Sequence, residues 1–432
     1  MRNYIYNRKV ICMKFLTPNE KIKDTRKFLK MKQEDLQDEN VSRGLIGMIE
    51  TNQRALAKNV AIKLAKKFNE KAKDLGIKFE IDENFLLRSP AEDAELYCFK
   101  QLEGSIINEE ILEIACKFNL LEIKASFYSK KADYYLARKD YDNAFINYND
   151  SIAIYKDIKL HHIIPHLYFQ IGICKARACK YNDALTYFNI CQRYSVMYND
   201  IKTQHAVLYD IALCYKKINN FELSLETIQE YLLFESKKDS FYFYANILKA
   251  NCYEALGKYD TVVEIYNGLL TEISNAEDPL LGYIYNNLGA VYLNKADFTT
   301  SLEYFERAEK LRSAVDKNNL SHTLVDKSEV YFRQHLYDEA IKVAKLGLSS
   351  ADFYKDYDYL LKGNYRLLHI YESINDIVNL KKIYLAIANL LKDNNNFSEL
   401  ASIYVKLSLL YINEKDIENA KECLILSQKL YE

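Results

Sequence analysis

The sequence repeats itself with a period of about 40 residues. An aromatic or aliphatic residue follows a short polar turn eight times, and the successive intervals are 40, 40, 38, 39, 39, 40 and 40 residues. We call these eight positions the anchors. Such regular spacing predicts a stack of similar units, each of which buries its apolar side against its neighbours. The anchors are Tyr141, Tyr181, Phe221, Tyr259, Phe298, Tyr337, Ile377 and Ile417.

Residue size at fixed distances from the anchors indicates paired helices. Nine residues before the anchor the side chain is mostly small, as at Gly172 and Gly289, and seven residues after it the side chain is mostly large, as at Phe188 and Phe305. A small residue lets two helices approach, and a large one fills the space beside them. The 432 residues include only 4 prolines and 11 glycines, which favours helices over a β-sandwich with its frequent turns.

The segment YNNLGAVYLNKADFTTSLEYFERA, residues 285–308, carries the pattern most fully. This segment resembles the tetratricopeptide repeat. The resemblance lies in the order of its features, which are LG, tyrosine, a turn, an aromatic anchor, a small residue, phenylalanine and alanine. The resemblance covers about residues 125–432 and implies an all-α, right-handed solenoid of about eight repeats. The family period is roughly 34 residues, so longer helices or loops are expected here. We assign the repeat domain to residues 92–432, with the segment ILEIACKFNLLEIKASFYSKKA as a cap or a partial extra unit.

A polar row follows the predicted first helices of the repeats. Eleven residues before the anchors, seven of eight side chains are polar, with Leu248 the exception. These positions adjoin the core columns, so we expect them to line the groove, where amides and charges suit an extended peptide. A hydrated face without a ligand stays the alternative. The candidate peptide-binding residues are Gln170, Asp210, Asn251, Asn286, Asn287, Asp326, Glu329 and Arg366.

The first 80 residues differ from the rest in charge. They contain 19 lysines and arginines against 10 aspartates and glutamates. Since the whole chain has 59 and 60, the remainder contains 40 against 50, an acidic balance. A basic head on an acidic body indicates that the head contacts a polyanion, although drift of solvated charge would give the same numbers.

The head also has its own pattern of short helices. Thr17, Pro18 and Glu20 mark the start of a first helix, a second begins near Gln33, and Ser42 caps a third. The order KQEDL, VSRGLIGMIE and an Asn-containing turn resembles the helix-turn-helix of the Xre or Cro/C1 repressor class. We assign residues 15–80 to this domain, residues 81–91 to a linker extended before Pro90, and residues 1–14 to a flexible extension.

The helix-turn-helix resemblance implies a DNA contact surface. In this interpretation Arg43 reads guanine and Gln33 adenine, the glycines allow close approach of the backbone, and the residues after the third helix contact phosphates. A helical bundle that only docks on the repeats is the alternative. The candidate DNA-binding residues are Gln33, Ser42, Arg43, Gly44, Gly47, Asn52, Gln53, Arg54 and Lys58.

Other kinds of site have little support. His161, His162 and His166 could resemble a metal cluster, but Pro165 interrupts their helical spacing, and we expect no metal, no cofactor and no enzyme activity. No apolar run approaches the roughly 18 residues that span a bilayer. The 9 cysteines contain no CxxC pair, and this odd number without a signal peptide favours the cytoplasm.

The combination of both parts resembles the peptide-responsive regulators of Gram-positive bacteria, the Rap, Rgg, NprR, PlcR and PrgX group, with the arbitrium receptors of phages nearby. The resemblance implies a cytoplasmic, homodimeric transcription factor that binds double-stranded DNA and is switched by a short signalling peptide. In its high content of lysine and tyrosine, the chain is similar to clostridial regulators of sporulation, toxin or solvent genes. The alternative is a receptor whose repeats bind and inhibit another regulatory protein, such as a response regulator.

Overall fold

The structure is a computed structural model that describes residues 15–104, 107–234, 240–394 and 396–430. These residues form 22 α-helices, three short 3₁₀ helices and one isolated β-bridge, so the all-α repeat fold is confirmed. Within these ranges no helix is both long and apolar enough to cross a membrane. The expected extension over residues 1–14 lies outside the described residues.

The chain divides into two compact units, Met1–Cys214 and Tyr215–Glu432. The first unit contains the head and the early repeats. Its helices are α1 (Pro18–Phe28), α2 (Arg43–Glu50), α3 (Lys58–Asp74), α4 (Glu83–Leu87), α5 (Pro90–Leu102), α6 (Glu110–Lys117), α7 (Leu121–Ala137), α8 (Tyr141–Asp157), α9 (Ile164–Arg177), α10 (Tyr181–Met197) and α11 (Ile201–Lys217), whose last turn passes the boundary.

The second unit contains repeats alone. Its helices are α12 (Phe221–Phe234), α13 (Ser240–Ala255), α14 (Tyr259–Glu272), α15 (Pro279–Asn294), α16 (Phe298–Val315), α17 (Leu320–Arg333), α18 (Tyr337–Tyr354), α19 (Tyr357–Ser373), α20 (Ile377–Asp393), α21 (Phe397–Asn413) and α22 (Ile417–Lys429). Many of these helices have 17 or 18 residues, which accounts for a period longer than that of the common tetratricopeptide repeat.

Every anchor is the first residue of the second helix of its repeat, from Tyr141 in α8 to Ile417 in α22. Two residues before each anchor the backbone turns through positive φ, at values between 55° and 72°. Only one of these eight turn residues, Gly257, is a glycine. The backbone conformation of the turn therefore recurs in every repeat, although the residue type at this position does not.

Complementary size holds each helix pair together. A Cβ atom added to Gly289 of α15 would lie 2.9 Å from the Phe305 ring of α16, and one added to Gly172 of α9 would lie 2.3 Å from the Phe188 ring of α10. Both rings are fully buried. The sequence-based assignment of the small and large columns to a helix–helix contact is thus confirmed in these two repeats.

The head has a separate core, formed by apolar residues of α1, α2, α3 and α4 that include Ile22, Ile46, Ile49 and Phe68. The joint over residues 81–91 is packed against this core, since Ile81 and Leu86 are buried in it and α4 occupies Glu83–Leu87. The segment expected as an extended linker is therefore partly helical and anchored.

Polar contacts fix the same joint. The Asn69 side chain donates to the Ile81 carbonyl at 2.8 Å and accepts from the Ile81 amide at 2.9 Å. The buried Lys21 ammonium donates to the Phe85 carbonyl at 2.9 Å and lies 2.5 Å from Asp93 of α5. Burial lowers the pKa of Lys21, and the Asp93 carboxylate offsets part of that effect.

Candidate functional site

Helix α2 presents one face to the head core and one to solvent. Ser42 caps the helix by accepting a hydrogen bond from the Leu45 amide at 3.2 Å, as the sequence predicts. Ile46 and Ile49 are buried, whereas Arg43, Gly44 and Met48 are exposed. The surface of the helix expected to enter a DNA groove is therefore open to solvent.

The residues that follow α2 extend this open surface. Asn52 follows the C-cap residue Thr51 in a left-handed conformation, with φ of 60°, and Gln53, Arg54 and Lys58 are all exposed. We define the α2 surface as Ser42, Arg43, Gly44, Gly47, Met48, Asn52, Gln53, Arg54 and Lys58. Met48 was missed by sequence reasoning, although its helical position between the two faces would have placed it there.

Among the described residues, Arg43 makes one contact, an ion pair of 3.0 Å with Glu34. Both side chains are more than half exposed, at 63% and 57%, so water screens the pair and it contributes little to stability. A phosphate or a base edge can therefore replace Glu34 as the partner of Arg43 at small cost.

Gln33 is placed differently from the expectation. The second helix begins at Gln33 as predicted but is a single 3₁₀ turn, Gln33–Leu36. The Gln33 amide donates to Glu50 at 2.8 Å, and Arg26 donates to both oxygens of Glu50 at 2.6 and 2.9 Å. Gln33 thus joins a polar lock between α1, the 3₁₀ turn and α2.

The charge of Glu50 is stabilised by that lock. Burial alone would raise the pKa of Glu50, but the hydrogen bonds from Arg26 and Gln33 outweigh burial and hold the pKa below its usual value. Gly44 and Gly47 have room for a side chain, since the nearest atoms to an added Cβ lie 4.0 Å away. The described part of the head gives no packing reason for either glycine.

In the second unit, the polar row forms a connected network on the first helices of the repeats. The Tyr266 hydroxyl of α14 donates to Asn251 of α13 at 3.2 Å and accepts from the Asn287 amide of α15 at 2.9 Å. Tyr266 is fully buried, and burial raises its pKa above the usual value. One phenol therefore orients two of the asparagines that the sequence singled out.

Asn286 and Asp326 lie further along the same network. Asn286 is only 6% exposed, and its amide donates to Asp326 at 3.1 Å while its carbonyl lies 3.4 Å from Arg312. Asp326 also pairs with Lys362 of α19 at 2.6 Å. Asn286 is therefore an internal connector, whereas its neighbour Asn287 is half-buried at the polar row.

Glu329 and Arg366 form the next link. Glu329 of α17 pairs with Arg366 of α19 and accepts from Arg333 at 2.9 Å. Burial lowers the pKa of Arg366, and Asp326 nearby raises it in part. Asp326 and Glu329 thus each bridge to α19, so adjacent first helices are linked by two ion pairs.

Sequence reasoning missed three members of this network. Tyr266 falls in the large core column, so its pattern gave no sign that the hydroxyl would hold two asparagines. Arg312 is fully buried in α16 and donates to the Thr323 hydroxyl at 2.8 Å. Lys362 could have been found, because it stands one helical turn before Arg366.

In the first unit, the two remaining candidates lie apart from that network. Gln170 of α9 lies 3.5 Å from the His166 ring. Asp210 of α11 is half-buried, and burial raises its pKa to about 6 while Arg177 opposes part of the rise. A carboxyl of this kind attracts a cation that could compensate its buried charge.

Two of the three histidines near Pro165 have separate contacts. His161 stacks on Tyr198 with ring centroids 5.8 Å apart, and His166 faces Gln170. Throughout the described ranges, no group of three or more histidine, cysteine, aspartate or glutamate side chains is arranged to hold a metal ion.

Comparison with known families identifies the repeat. Tetratricopeptide-repeat family models match residues 280–351 and residues 401–432. No curated protein sequence matches the chain.

Comparison with solved structures finds regulators of the group that the sequence resembles. The apo form of the quorum sensor NprR from B. thuringiensis has 19% identity and a TM-score of 0.51, and the match covers 79% of this chain and 99% of the chain in that structure. NprR in complex with its cognate peptide NprX has 17% identity and a TM-score of 0.46, over 79% and 100% of the two chains.

A third structure is the Rap conjugation gene regulator of the plasmid pLS20 in complex with the Phr* peptide. It has 17% identity and a TM-score of 0.42, over 97% of this chain and 96% of that chain. At these identities the likeness concerns the fold, and of these three structures apo NprR has a TM-score above 0.5. The chain is a tetratricopeptide-type repeat protein with the fold of NprR, as expected from the sequence.

Proposed function

We propose that this repeat protein is a peptide-responsive transcription regulator. The head binds double-stranded DNA in a homodimer, and the polar row of the repeats binds a short signalling peptide that changes DNA affinity. NprR, whose fold the chain shares, is a quorum sensor, and the proposal gives this chain a role of the same kind. The domain limits 15–80 and 92–432 remain part of the proposal.

The observation that carries the peptide assignment is the pair of asparagines held by Tyr266. The Tyr266 hydroxyl donates a hydrogen bond to the side-chain carbonyl of Asn251 and accepts one from the side-chain amide of Asn287. Among the described residues, the Asn251 amide nitrogen and the Asn287 carbonyl oxygen have no hydrogen-bond partner. These two atoms form a donor and an acceptor, the pair that the main chain of an extended peptide requires.

The DNA assignment is supported by the α2 surface. It combines an open helix of the head with three cations, Arg43, Arg54 and Lys58, and none of its own residues is acidic. The two glycines leave the helix backbone uncovered without any requirement from packing. Such a surface suits phosphate contacts and close approach to a major groove more than it suits dense base readout.

DNA binding is tested by fluorescence anisotropy of labelled genomic duplexes at several salt concentrations. We expect Arg43→Ala to cost about 1–3 kcal/mol of binding free energy, as loss of a base contact does, and Arg54→Ala to reduce the salt slope by about 1. Lys66→Ala is the matched control, because Lys66 is an exposed lysine of α3 outside the α2 surface. Equal binding by all three variants and the wild type would reject the α2 surface as the DNA contact.

A second candidate function has one observation in its favour. The second helix of the head is reduced to one 3₁₀ turn, and Gln33 is held by Glu50 rather than exposed for base readout. A head of this kind could be structural, with the repeats acting as a receptor for another regulatory protein. Duplex binding that depends on Arg43 separates the two functions, since the receptor does not require it.

A further inference from the structure

Helices α17 and α19 carry complementary charges on facing sides. Lys362, Arg366 and His369 stand at helical spacings of four and three residues on α19, so they share one side of that helix. Asp326 and Glu329 stand three residues apart on α17. Lys362 pairs with Asp326 at 2.6 Å, and Arg366 pairs with Glu329.

Each acid of α17 has a second partner. Asp326 also accepts a hydrogen bond from Asn286 at 3.1 Å, and Glu329 also accepts one from Arg333 at 2.9 Å. Removing one partner of a buried charge is usually expensive because the other charge is left uncompensated. When Lys362 and Arg366 leave, Glu329 keeps the charge of Arg333, and Asp326 keeps the hydrogen bond from Asn286 and the nearby charge of Arg312.

The basic side chains are also accessible and incompletely used. The side chains of Lys362 and His369 are 47% and 60% exposed. Arg366 is 20% exposed, and its buried Nε has no hydrogen-bond partner in the described part of the chain. His369 lies 3.5 Å from Glu372, an exposed contact that water weakens. The Arg366 guanidinium, with its Nε unpaired, therefore suits a carboxylate that can contact two of its nitrogens at once.

We propose that Lys362, Arg366 and His369 form an anion subsite that binds a carboxylate of the signalling peptide. The ligand carboxylate replaces Asp326 and Glu329 as the partner of Lys362 and Arg366, while Arg333 stays paired with Glu329 and Asp326 stays bonded to Asn286 beside Arg312. This inference rests on the proposed function, because it names the chemical group by which the peptide is recognised. The carboxylate is either the peptide C-terminus or an aspartate or glutamate side chain.

The exchange has a mechanical consequence. The ion pairs Asp326–Lys362 and Glu329–Arg366 link the first helices of neighbouring repeats, and a bound carboxylate opens both links. Binding energy at the subsite is then coupled to the spacing of α17 and α19. The shift in conformation cannot exceed the difference in peptide affinity between the linked and unlinked states.

The probe is a set of three N-acetylated random hexapeptide libraries, passed over the immobilised full chain and measured by mass spectrometry. The first library has no acidic residue but a free C-terminus, the second has one glutamate and a C-terminal amide, and the third has neither carboxylate. We expect retention of the first or the second, at least about tenfold above the third, as a charged hydrogen bond gives. The retained library identifies the source of the carboxylate.

Variants of the Glu329–Arg366 ion pair then test the exchange of carboxylates, because one variant should lower peptide retention and the other should raise it. Arg366→Gln is expected to lower retention of the preferred library about tenfold, and Glu329→Gln to raise it, because it frees Arg366 while removing only an acid. Structural damage cannot account for a gain. Arg307→Gln is the matched control, since Arg307 is an exposed arginine of α16 over the Tyr304 ring, and it should change nothing.

Two results would reject the anion subsite, and one of them would also reject peptide binding by the repeats. Equal retention of the third library, or retention indifferent to Arg366→Gln and Glu329→Gln, rejects the anion subsite and leaves peptide binding in place. No retention of any library rejects the proposed peptide function together with the subsite.

Discussion

At the scale of single residues, the repeat turn is built without the residue that suits it best. The position two residues before each anchor has positive φ, yet it holds Lys139, Cys179, Asn219 or Ala296 in four of the repeats and a glycine only at Gly257. A left-handed conformation costs a non-glycine residue roughly 1–2 kcal/mol. The anchors could be predicted because their type and spacing recur, whereas these turns could not, because the conformation is imposed by the two helices they join.

For the candidate site, the sequence predicted which positions lie on the polar row but not which contacts their side chains make. Column position placed Asn287 and Asp326 on the polar row, but it could not separate Asn287 from its neighbour Asn286, which is buried as an internal connector. The partners of these residues come from other helices, as Tyr266 does for Asn287. Periodicity within one helix contains no information about such contacts.

Asp210 provides a prediction about pH. Burial raises the pKa of folded Asp210 to about 6 from its ordinary value of 3.8, so the folded state holds the proton to higher pH than the unfolded chain. Stability attributable to this group is therefore greatest below about pH 4, falls as the pH rises to about 6, and stays low above it. Asp210→Asn removes the charge, and we expect it to stabilise the protein by about 2 kcal/mol at pH 7.5 but hardly at pH 4.

The measurement is chemical denaturation of both proteins at the two pH values. Asp150→Asn, at an exposed position of α8, is the control and should show no such dependence. Equal stability of wild type and Asp210→Asn at pH 7.5 would contradict the buried charge.

At the scale of elements, helix pairs depend on the match between small and large columns. Gly289→Ala would place a Cβ 2.9 Å from the Phe305 ring, so α15 and α16 would have to separate. We expect a loss of about 1–3 kcal/mol in the free energy of unfolding. Phe305→Leu in the same chain should restore part of it, because the smaller side chain makes room for the methyl group.

Gly268→Ala is the matched control for this prediction. Gly268 lies in the helix α14, and a Cβ added there has no described atom within 4 Å. Alanine is the better helix former, so this variant should gain about 0.5–1 kcal/mol. A Gly289→Ala protein as stable as wild type in urea denaturation would contradict the close contact of the two helices.

The elements of the head were predicted less well than those of the repeats. The start of α1 at Pro18 and the Ser42 cap of α2 follow from local capping chemistry, which sequence contains. The reduction of the second helix to Gln33–Leu36 does not, because it accompanies the lock formed by Arg26, Gln33 and Glu50. Contacts distant in sequence decided the form of this element.

At the scale of the whole molecule, the proposed function requires that the repeats and the head act on one another. In the proposed function the polar row and the anion subsite would supply a ligand-dependent change in the repeats. The packed joint over residues 81–91 makes the head a single body with α4. We therefore propose that regulation by peptide reaches DNA through the position of that body rather than through a loose linker.

The most direct test is the affinity of the full chain for a labelled duplex from its own upstream region, measured by anisotropy at fixed salt with and without the short peptides encoded beside the gene. We predict that one peptide shifts the Kd for DNA and that Asn287→Ala abolishes the shift, while Asn267→Ala, an exposed asparagine of α14, does not. A DNA affinity that no peptide changes, or a shift that survives Asn287→Ala unaltered, would contradict the account.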